Sequence, residues 1–393
     1  MFTITPLNSQ ENHIDGFYYD GLNAKLKANG DNDLGFIYSD EPCDVQAVFT
    51  ENRFKAAPLL HFLSKKEDFK TNFVLINSKN ANALTGQKGV EDIEEILNAL
   101  KFDLHNPIMS STGVIGNRLP KEKIIEGANR FDLSSKNFFN LSKAIMTTDL
   151  FEKEVMYEVN LEDNTSFKIK AVAKGAGMIN PNLATMLCYI ITDANIPVSH
   201  MKEALKQNSE TTFNAISVDG DTSTNDTVML FANKKSNSYD KEAFYEALRL
   251  CMHDLAIKMV SDGEGAKKSV AFEVKNAATY EDAQKAAKAL SNSLLVKTAL
   301  FGEDPNFGRI ASTIGASRIK CDEQTLTISY NDVIVYDKGE IIFDKSQEQK
   351  AAEVLRNESF KIVCNIGQGE KSFTAYGCDL GYEYVKINAD YRT

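Results

Sequence analysis

Histidine, cysteine and long apolar runs are scarce in this sequence, and each shortage excludes a class of protein. The five histidines are scattered and none begins a His-Glu-x-x-His motif, so no metal site is expected. The six cysteines lack Cys-x-x-Cys spacing and lie mostly in apolar stretches, which indicates buried reduced thiols. The longest apolar run, residues 186–191, is too short to span a membrane, and no signal-peptide pattern opens the chain. We therefore expect a cytoplasmic protein with no membrane partner.

Positively charged residues are also fewer than negatively charged ones. The formal net charge is -11, which argues against general nucleic-acid binding, because that function needs basic patches to displace counterions. The 43% hydrophobic and 25% charged residues are typical of a soluble globular protein. A chain of 393 residues is too long for one ordinary core, so we expect two or three domains.

Several binding and catalytic motifs are missing or incomplete. There is no Gly-x-Ser-x-Gly hydrolase motif. KGAGMIN has Asn180 where a dinucleotide loop needs its third glycine, and GEGAKKS has Ala266 where a phosphate-binding loop needs glycine. VDGDTSTND is similar to a calcium loop, but Thr224 and Leu230 replace the glycine and the glutamate that such a loop requires. We expect this loop to hydrogen-bond to its own backbone instead.

Hydrophobic periodicity predicts helices and strands mixed without strict βαβ order, which favours an α+β layered fold. Alternating apolar residues predict a hairpin formed by residues 155–161 and 166–173. An unbroken apolar run predicts a strand buried on both faces at 185–192. Further predicted elements are strands or buried segments at 44–59 and 73–76, a strand at 359–366, a hairpin turning at 331–332, and helices at 91–102, 240–259 and 280–299.

Four segments carry groups suited to acyl chemistry, although each alone also fits an ordinary strand start, turn, helix stop or tail. Two glycines and a proline precede Thr185, so a flexible approach delivers a hydroxyl to the edge of a predicted strand. The loop 110–116 offers hydroxyls and N–H groups that suit an oxyanion. Glu264 lies between two glycines that allow a substrate to approach closely. Residues 385–393 alternate apolar and polar side chains, which indicates a terminus that is tied down.

Long and unusual stretches across the chain together resemble one enzyme family. These are DVQAVFTENRFKAAP (44–58), STGVIGNRLP (111–120), AIMTTD (144–149), KGAGMINPNLATML (174–187), SVDGDTSTNDT (217–227), DGEGAKK (262–268), EDPNFGRI (303–310) and GCDLGYEYVKINADYRT (377–393). With them the chain resembles the ornithine acetyltransferase (glutamate N-acetyltransferase) family of arginine biosynthesis. It departs from the family at Lys79, where relatives usually place glycine, and at residues 150–155, which lack the usual threonine-x-proline.

The resemblance implies a fold and a processing step. The fold is a layered αββα-type α+β sandwich, as in N-terminal-nucleophile enzymes, with a smaller C-terminal α+β domain. The precursor would cleave itself between Ala184 and Thr185. The expected parts are an α chain of residues 1–184, the first part of the β chain at 185–280, and a C-terminal domain at 281–393. Two α and two β chains, made from one kind of precursor, would form a heterotetramer.

The family's site residues map one by one onto this sequence. The resemblance implies Thr185 as the nucleophile, with Thr112 and Gly113 as the oxyanion hole. The implied substrate contacts are Thr148, Lys174, Thr185, Glu264, Asn388 and Thr393, with Thr147 as the alternative to Thr148. The resemblance implies neither a metal nor a cofactor, and acetyl-CoA is a candidate second acetyl donor.

Self-cleavage suits a threonine that has no histidine nearby in the chain. A hydroxyl nucleophile needs a base, and cleavage frees an α-amine, whose reference pKa of about 7.7–8.0 suits that task near neutral pH. Thr185 would then take the acetyl group of N-acetylornithine and pass it to glutamate. The nearest alternative is an N-terminal-threonine amidohydrolase or aminopeptidase, which uses water as the acceptor. A non-catalytic acidic scaffold is the alternative from another class.

Overall fold

The computed structural model describes residues 1–66, 68–180 and 186–390. The predicted cleavage residues Ala184 and Thr185, and the C-terminal Thr393, lie outside the described residues. Within the described ranges, no helix combines the length and the apolar character needed to cross a lipid bilayer.

Strands are distributed over the whole described chain. In chain order they are β1 (Phe2–Pro6), β2 (Phe17–Leu22), β3 (Leu34–Phe49), β4 (Lys70–Asn77), β5 (Ile108–Ser111), β6 (Lys153–Leu161), β7 (Ser166–Lys174), β8 (Leu187–Thr192), β9 (Ile216–Ser217), β10 (Thr227–Ala232), β11 (Ser269–Ala277), β12 (Thr327–Tyr330), β13 (Val333–Asp337), β14 (Glu340–Ile341), β15 (Ser359–Asn365) and β16 (Lys371–Cys378).

Helices alternate irregularly with these strands. They are α1 (Ala57–Leu63), α2 (Gly86–Asn98), α3 (Lys121–Ala128), α4 (Phe138–Ile145), α5 (Val198–Thr211), α6 (Lys241–Ser261), α7 (Tyr280–Asn292), α8 (Leu294–Phe301), α9 (Phe307–Ala316), α10 (Lys345–Leu355) and α11 (Tyr382–Asp390).

The first sheet carries the segments that form the site. Its strand order is β1-β6-β7-β8-β10-β3-β4-β5, with β2 paired to β3. In its middle, β8 runs antiparallel to β7 and parallel to β10. Every residue of β8 is buried, as expected for a strand that is apolar on both faces. Helices α5 and α6 cover one face of this sheet and α4 packs on the other.

The second sheet has the order β14-β13-β12-β15-β11-β16-β9. It packs with α7, α9 and α10 around a hydrophobic core of its own. Cys378 and Tyr376 of β16 reach the core of the first sheet, where α6 lies. The layers of helix and sheet confirm the predicted α+β class. The predicted divisions at residues 184 and 280 stay a prediction.

Most predicted elements are present, with informative differences in extent. The predicted hairpin is β6 and β7, in which Val155 pairs with Ala171. The predicted strand at 44–59 ends at Phe49, and Pro58 lies in the first turn of α1, where its missing N–H costs nothing. Residues 385–390 of the alternating C-terminal segment lie in the helix α11.

The prediction of one helix over 280–299 is wrong at a single residue. Ser293 adopts an extended backbone, with φ -70° and ψ 113°, and ends α7. Its hydroxyl accepts a hydrogen bond from the Val296 N–H at 3.4 Å and so caps α8. The apolar periodicity runs on across this break, which is why it predicted a single helix.

Replacing Ser293 with alanine should lower the free energy of unfolding by about 1 kcal/mol, because the first turn of α8 loses its side-chain cap. Urea denaturation followed by circular dichroism measures the difference. Ser346→Ala, at an exposed position of α10, is the matched control and should change stability by less than about 0.5 kcal/mol. A Ser293→Ala protein as stable as the wild type would contradict the capping role.

Candidate active site

A cavity of about 170 Å³ lies where the end of β7 and the start of β8 meet helix α11. Segments that are far apart in sequence form its wall, and the wall is mostly polar. Among the described residues, the wall consists of Thr112, Gly113, Ile115, Thr147, Thr148, Lys174, Gly175, Gly177, Met178, Met186, Leu187, Asp219, Asp221, Ser223, Asn225, Asp226, Glu264, Tyr384 and Asn388.

Strand pairing fixes the floor of the cavity. Lys174 is the last residue of β7 and pairs with Leu187, the first residue of β8. On the other side of β8, Leu187 pairs with Thr227, whose N–H donates to the Met186 carbonyl at 2.7 Å. The backbone that follows the predicted cleavage point is therefore held between two neighbouring strands.

The Thr112 loop after β5 presents a hydroxyl to the cavity. The Thr112 backbone N–H donates to the Asn77 carbonyl at 3.0 Å, so the hydroxyl is the donor that Thr112 can offer a ligand. The Lys174 ammonium donates to the Thr112 hydroxyl oxygen at 3.5 Å. Because an ammonium only donates, the hydroxyl proton stays free to point elsewhere. Gly113 has φ +128°, and a side chain there would overlap the backbone of Lys79.

Glu264 forms the opposite side of the cavity with α11. The Asn388 amide donates to a Glu264 carboxylate oxygen at 2.7 Å. A Cβ at Gly177 would overlap the Glu264 carboxylate, and one at Gly265, where φ is +73°, would lie 2.8 Å from the Tyr384 nitrogen. These two glycines therefore allow the KGAG segment and α11 to close on Glu264.

Asp219 holds the segment that precedes the predicted cleavage point. Its carboxylate accepts hydrogen bonds from the N–H groups of Met178 and Ile179, at 2.6 Å and 2.9 Å. The Tyr384 hydroxyl donates to the same carboxylate at 3.3 Å. Burial raises the pKa of Asp219 above its ordinary value, although the backbone donors work against that shift. The carboxylate thus ties α11 to the KGAGMIN segment.

The expectation that VDGDTSTND bonds mainly to its own backbone is only partly right. Asp219 does accept the Asp221 N–H at 3.2 Å. The Asn225 amide, however, donates to the carbonyls of Ala81 and Ser111, at 2.6 Å and 2.8 Å. The loop therefore connects the Thr112 loop to the start of β10, a role that spacing within the loop does not reveal.

A fully buried ion pair lies beneath the cavity. The Lys153 ammonium lies 2.7 Å from Asp149 and also contacts Asp262. Burial alone would raise the pKa of Asp149, but the Lys153 and Lys174 cations and donated hydrogen bonds outweigh it and lower that pKa. Burial raises the pKa of Asp262, and the nearby Asp149 charge adds to that shift, whereas the Lys153 cation works against it.

The same carboxylates hold the backbone around the cavity. Asp149 accepts hydrogen bonds from the N–H groups of Thr147 and Gly175, at 2.9 Å and 2.7 Å. Asp262, at the end of α6, accepts the Leu150 N–H at 3.1 Å. One lysine therefore fixes the position of three segments that reach the site. This arrangement was not predicted, because Lys153, Asp149 and Asp262 lie in separate segments and their local patterns indicate only a strand start and a helix stop.

The two departures from the family pattern lie at the edge of the site. Lys79 has φ +75°, a conformation that glycine adopts without strain. With Lys27 and Thr147 it lines a second cleft of about 270 Å³. In the unusual 150–155 loop, Leu150 is 77% exposed. Both Thr147 and Thr148 line the main cavity, so the choice between them stays open.

The fold brings most of the predicted site residues together. Thr112, Gly113, Thr148, Lys174, Glu264 and Asn388 all line the one cavity. The predicted Ala184, Thr185 and Thr393 lie outside the described residues. Hydroxyl, ammonium and carboxylate groups converge within a small volume, which suits a zwitterionic amino-acid ligand.

Comparisons with known proteins agree over the whole chain. The ArgJ family model matches residues 18–393. The "Arginine biosynthesis bifunctional protein ArgJ" of Wolinella succinogenes is 59% identical over 396 residues, covering 100% of both chains. The "Glutamate N-acetyltransferase" of Methanothermobacter thermautotrophicus is 40% identical over 95% of this chain and 96% of its own.

The chain is also similar in sequence to two proteins with solved structures. The "Arginine biosynthesis bifunctional protein argJ" of Bacillus halodurans is 39% identical with a TM-score of 0.48, and the match covers 51% of this chain and 96% of that one. The ornithine acetyltransferase of Mycobacterium tuberculosis, solved with ornithine, is 32% identical with a TM-score of 0.40, covering 46% of this chain and 100% of that one.

Replacing Lys153 with methionine should lower the free energy of unfolding by about 3–5 kcal/mol, because Asp149 and Asp262 would stay buried without their cation. Urea denaturation measures the loss. Lys143→Met is the control, since Lys143 pairs with Glu152 in a part-exposed position, and it should cost at most about 1 kcal/mol. Equal effects of the two substitutions would show that the buried pair does not stabilise this region.

Proposed function

The chain belongs to the ArgJ family, and we propose that it is a glutamate N-acetyltransferase of arginine biosynthesis, which moves an acetyl group from N-acetylornithine to glutamate. The observation that carries this proposal is the full-length 59% identity to an arginine-biosynthesis relative. The cavity supports it, since it offers a cation and a carboxylate for an amino-acid substrate.

The nucleophile in this proposal is Thr185, freed by cleavage of the Ala184–Thr185 bond. The new α-amine takes the hydroxyl proton, since its reference pKa of about 7.7–8.0 leaves a useful fraction of it neutral near physiological pH. The hydroxyl attacks the acetyl carbonyl of N-acetylornithine, and ornithine leaves. Glutamate then attacks the acetyl-threonine and restores the hydroxyl. This assignment is supported by the position of Met186, which follows Thr185 and lines the cavity.

The oxyanion of the tetrahedral intermediate accepts hydrogen bonds from Thr112 and Gly113. For Thr112, the side-chain hydroxyl is the donor, because its N–H already donates to Asn77. The Lys174 ammonium donates to that hydroxyl oxygen, which leaves the hydroxyl proton available to the ligand. Such preorganised donors stabilise charge only as it develops.

The remaining proposed contacts hold the amino-acid part of the substrate. Lys174 pairs with the α-carboxylate, and Glu264, oriented by Asn388, pairs with an ammonium group. Thr148 and the C-terminal Thr393 complete the set. Ornithine and glutamate share the α-carboxylate, so the Lys174 contact serves both half-reactions. The ammonium that pairs with Glu264 is the side-chain ammonium of N-acetylornithine, because the α-nitrogen of that donor is acylated.

Wider features of the enzyme follow from the same proposal. No cofactor takes part, and acetyl-CoA serves as a second acetyl donor, in line with the word "bifunctional" in the relatives' names. The parts are an α chain at 1–184 and a β chain at 185–393, whose C-terminal domain begins at 281, and two of each form a heterotetramer. We place it in the cytoplasm, where the six cysteines, free in the structure, stay reduced.

Purified wild-type protein should consist of two fragments, the second beginning Thr185-Met186-Leu187, and should acetylate glutamate with N-acetylornithine as donor. Thr185→Ala should remain one chain and show no transfer, because both steps need the hydroxyl. Thr185→Ser, which keeps a hydroxyl, should retain cleavage and some transfer. N-terminal sequencing and ornithine release give the readout. An intact, active wild-type chain would contradict the nucleophile, and hydrolysis faster than transfer would favour an amidohydrolase.

Removing the Thr112 hydroxyl should lower kcat by about 10²–10³-fold with a smaller change in KM, because the donor acts mainly in the transition state. Steady-state transfer by the cleaved Thr112→Ala enzyme tests this. Thr112→Ser, which keeps the hydroxyl, is the control and should stay much closer to the wild type. Wild-type kcat in Thr112→Ala would remove this residue from the oxyanion hole.

A further inference from the structure

Asp226 is an exception among the buried carboxyl groups around the cavity. It is 2% exposed and lines the cavity, yet its Oδ2 atom has no hydrogen-bond partner among the described residues. A buried polar atom without a partner costs free energy, so folded proteins seldom leave one without a reason. A ligand that enters the cavity is the natural partner for this oxygen.

Asp226 accepts hydrogen bonds from Ser223, but its Oδ2 atom accepts none from the described residues. The neighbouring carboxylates that the structure describes have no buried oxygen left in that state. Asp149 pairs with Lys153, Asp219 accepts two backbone N–H groups, and Glu264 accepts the Asn388 amide. These groups are therefore satisfied by the fold. Asp226 is left with one oxygen in the cavity wall that no described residue satisfies.

Burial also sets the charge of Asp226. It raises the pKa of this carboxyl well above its ordinary value, although Ser223 and the Lys174 cation work in the opposite direction. An unpaired carboxyl in such a place is more stable as the neutral acid than as the anion. The group can therefore hold a proton at a pH where exposed aspartates have lost theirs.

Two backbone connections place Asp226 between the reacting segments. The Thr227 N–H donates to the Met186 carbonyl at 2.7 Å, and the amide of Asn225 donates to the Ser111 carbonyl at 2.8 Å. Asp226 therefore sits between one residue tied to the start of β8 and one tied to the Thr112 loop. The Asp226 carbonyl also accepts the Thr50 N–H at 3.0 Å, which fixes its backbone.

We propose that Asp226 is a further catalytic residue, the acid that protonates the leaving amine of the acetylated amino acid. This role rests on the proposed acetyl transfer. An amide nitrogen leaves poorly as an anion, so cleavage of the acetyl–nitrogen bond needs a proton donor in the site. Among the described acidic groups of the wall, Asp226 is the one with a buried oxygen that has no described partner, so we place it against the leaving nitrogen.

The proton balance closes over the two half-reactions. In the first half-reaction, the hydroxyl oxygen of the nucleophile bonds to the acetyl carbon, and the hydroxyl proton goes to the α-amine. The carbon–nitrogen bond then breaks as Asp226 gives the carboxyl proton to the nitrogen. Neutral ornithine amine leaves and Asp226 becomes a carboxylate. In the second, the glutamate amine attacks the acetyl ester, Asp226 takes back a proton from that nitrogen, and the α-amine returns its proton to the departing oxygen.

Leaving-group dependence separates this role from a structural one. Asp226→Asn has nearly the same shape but cannot supply a proton. It should lower the rate of ornithine release from N-acetylornithine by about 10²–10⁴-fold. The burst of p-nitrophenolate from p-nitrophenyl acetate, a leaving group that needs no proton, should stay within about threefold of wild type. A structural defect would slow both acyl donors alike.

The pH profile gives a second readout. Wild-type kcat/KM for N-acetylornithine should fall as pH rises through the raised pKa of Asp226, because the acid works only when protonated. Asp226→Asn should lack that descending limb. Asp221→Asn, which removes an exposed carboxyl from the same loop, is the matched control, and any effect it has should be equal for both donors.

Each result decides a separate point. Wild-type protein that transfers no acetyl group from N-acetylornithine would overturn the proposed function itself. An active wild type with an Asp226→Asn variant that releases ornithine normally, or that slows on both donors equally, would overturn only the role of Asp226. A variant that fails to fold, or folds and remains one chain, would also overturn it, since the carboxyl would then be needed before transfer begins.

Discussion

The contact on which the site most depends is the buried Lys153 ammonium between Asp149 and Asp262. Two buried carboxyl groups need a cation, and the cation in turn brings together the segment before β6 and the end of α6, which carry them. Asp149 also accepts hydrogen bonds from the N–H groups of Thr147 and Gly175. The position of the polypeptide around the cavity therefore follows from one charge.

Around this base, the site is built from short polar segments on a rigid apolar sheet. The start of β8 is fixed by pairing with β7 and β10, while Asp219 and Asn225 tie the surrounding loops to one another. Few of these side chains are free to move, because most of their polar atoms are already bonded. That rigidity suits acyl transfer, in which small misplacements of the reacting groups are costly.

Local sequence predicted the elements whose patterns depend on near neighbours. The hairpin of β6 and β7 and the helix α6 follow directly from periodicity. The break at Ser293 was missed, because apolar spacing continues across it and only the cap marks the end. The C-terminal helix α11 was also missed, because its contacts are with Asp219 and Glu264, more than a hundred residues away.

The sequence by itself determined the family, the mixed α+β class and the residues Thr112, Lys174, Glu264 and Asn388, because long unusual segments carry that information. Tertiary structure alone decided which carboxyl groups are charged. Asp149 is held as a carboxylate by Lys153, whereas burial favours the neutral acid at Asp226. Desolvation and Coulomb energies depend on neighbours brought together from distant parts of the chain, and no local pattern records them.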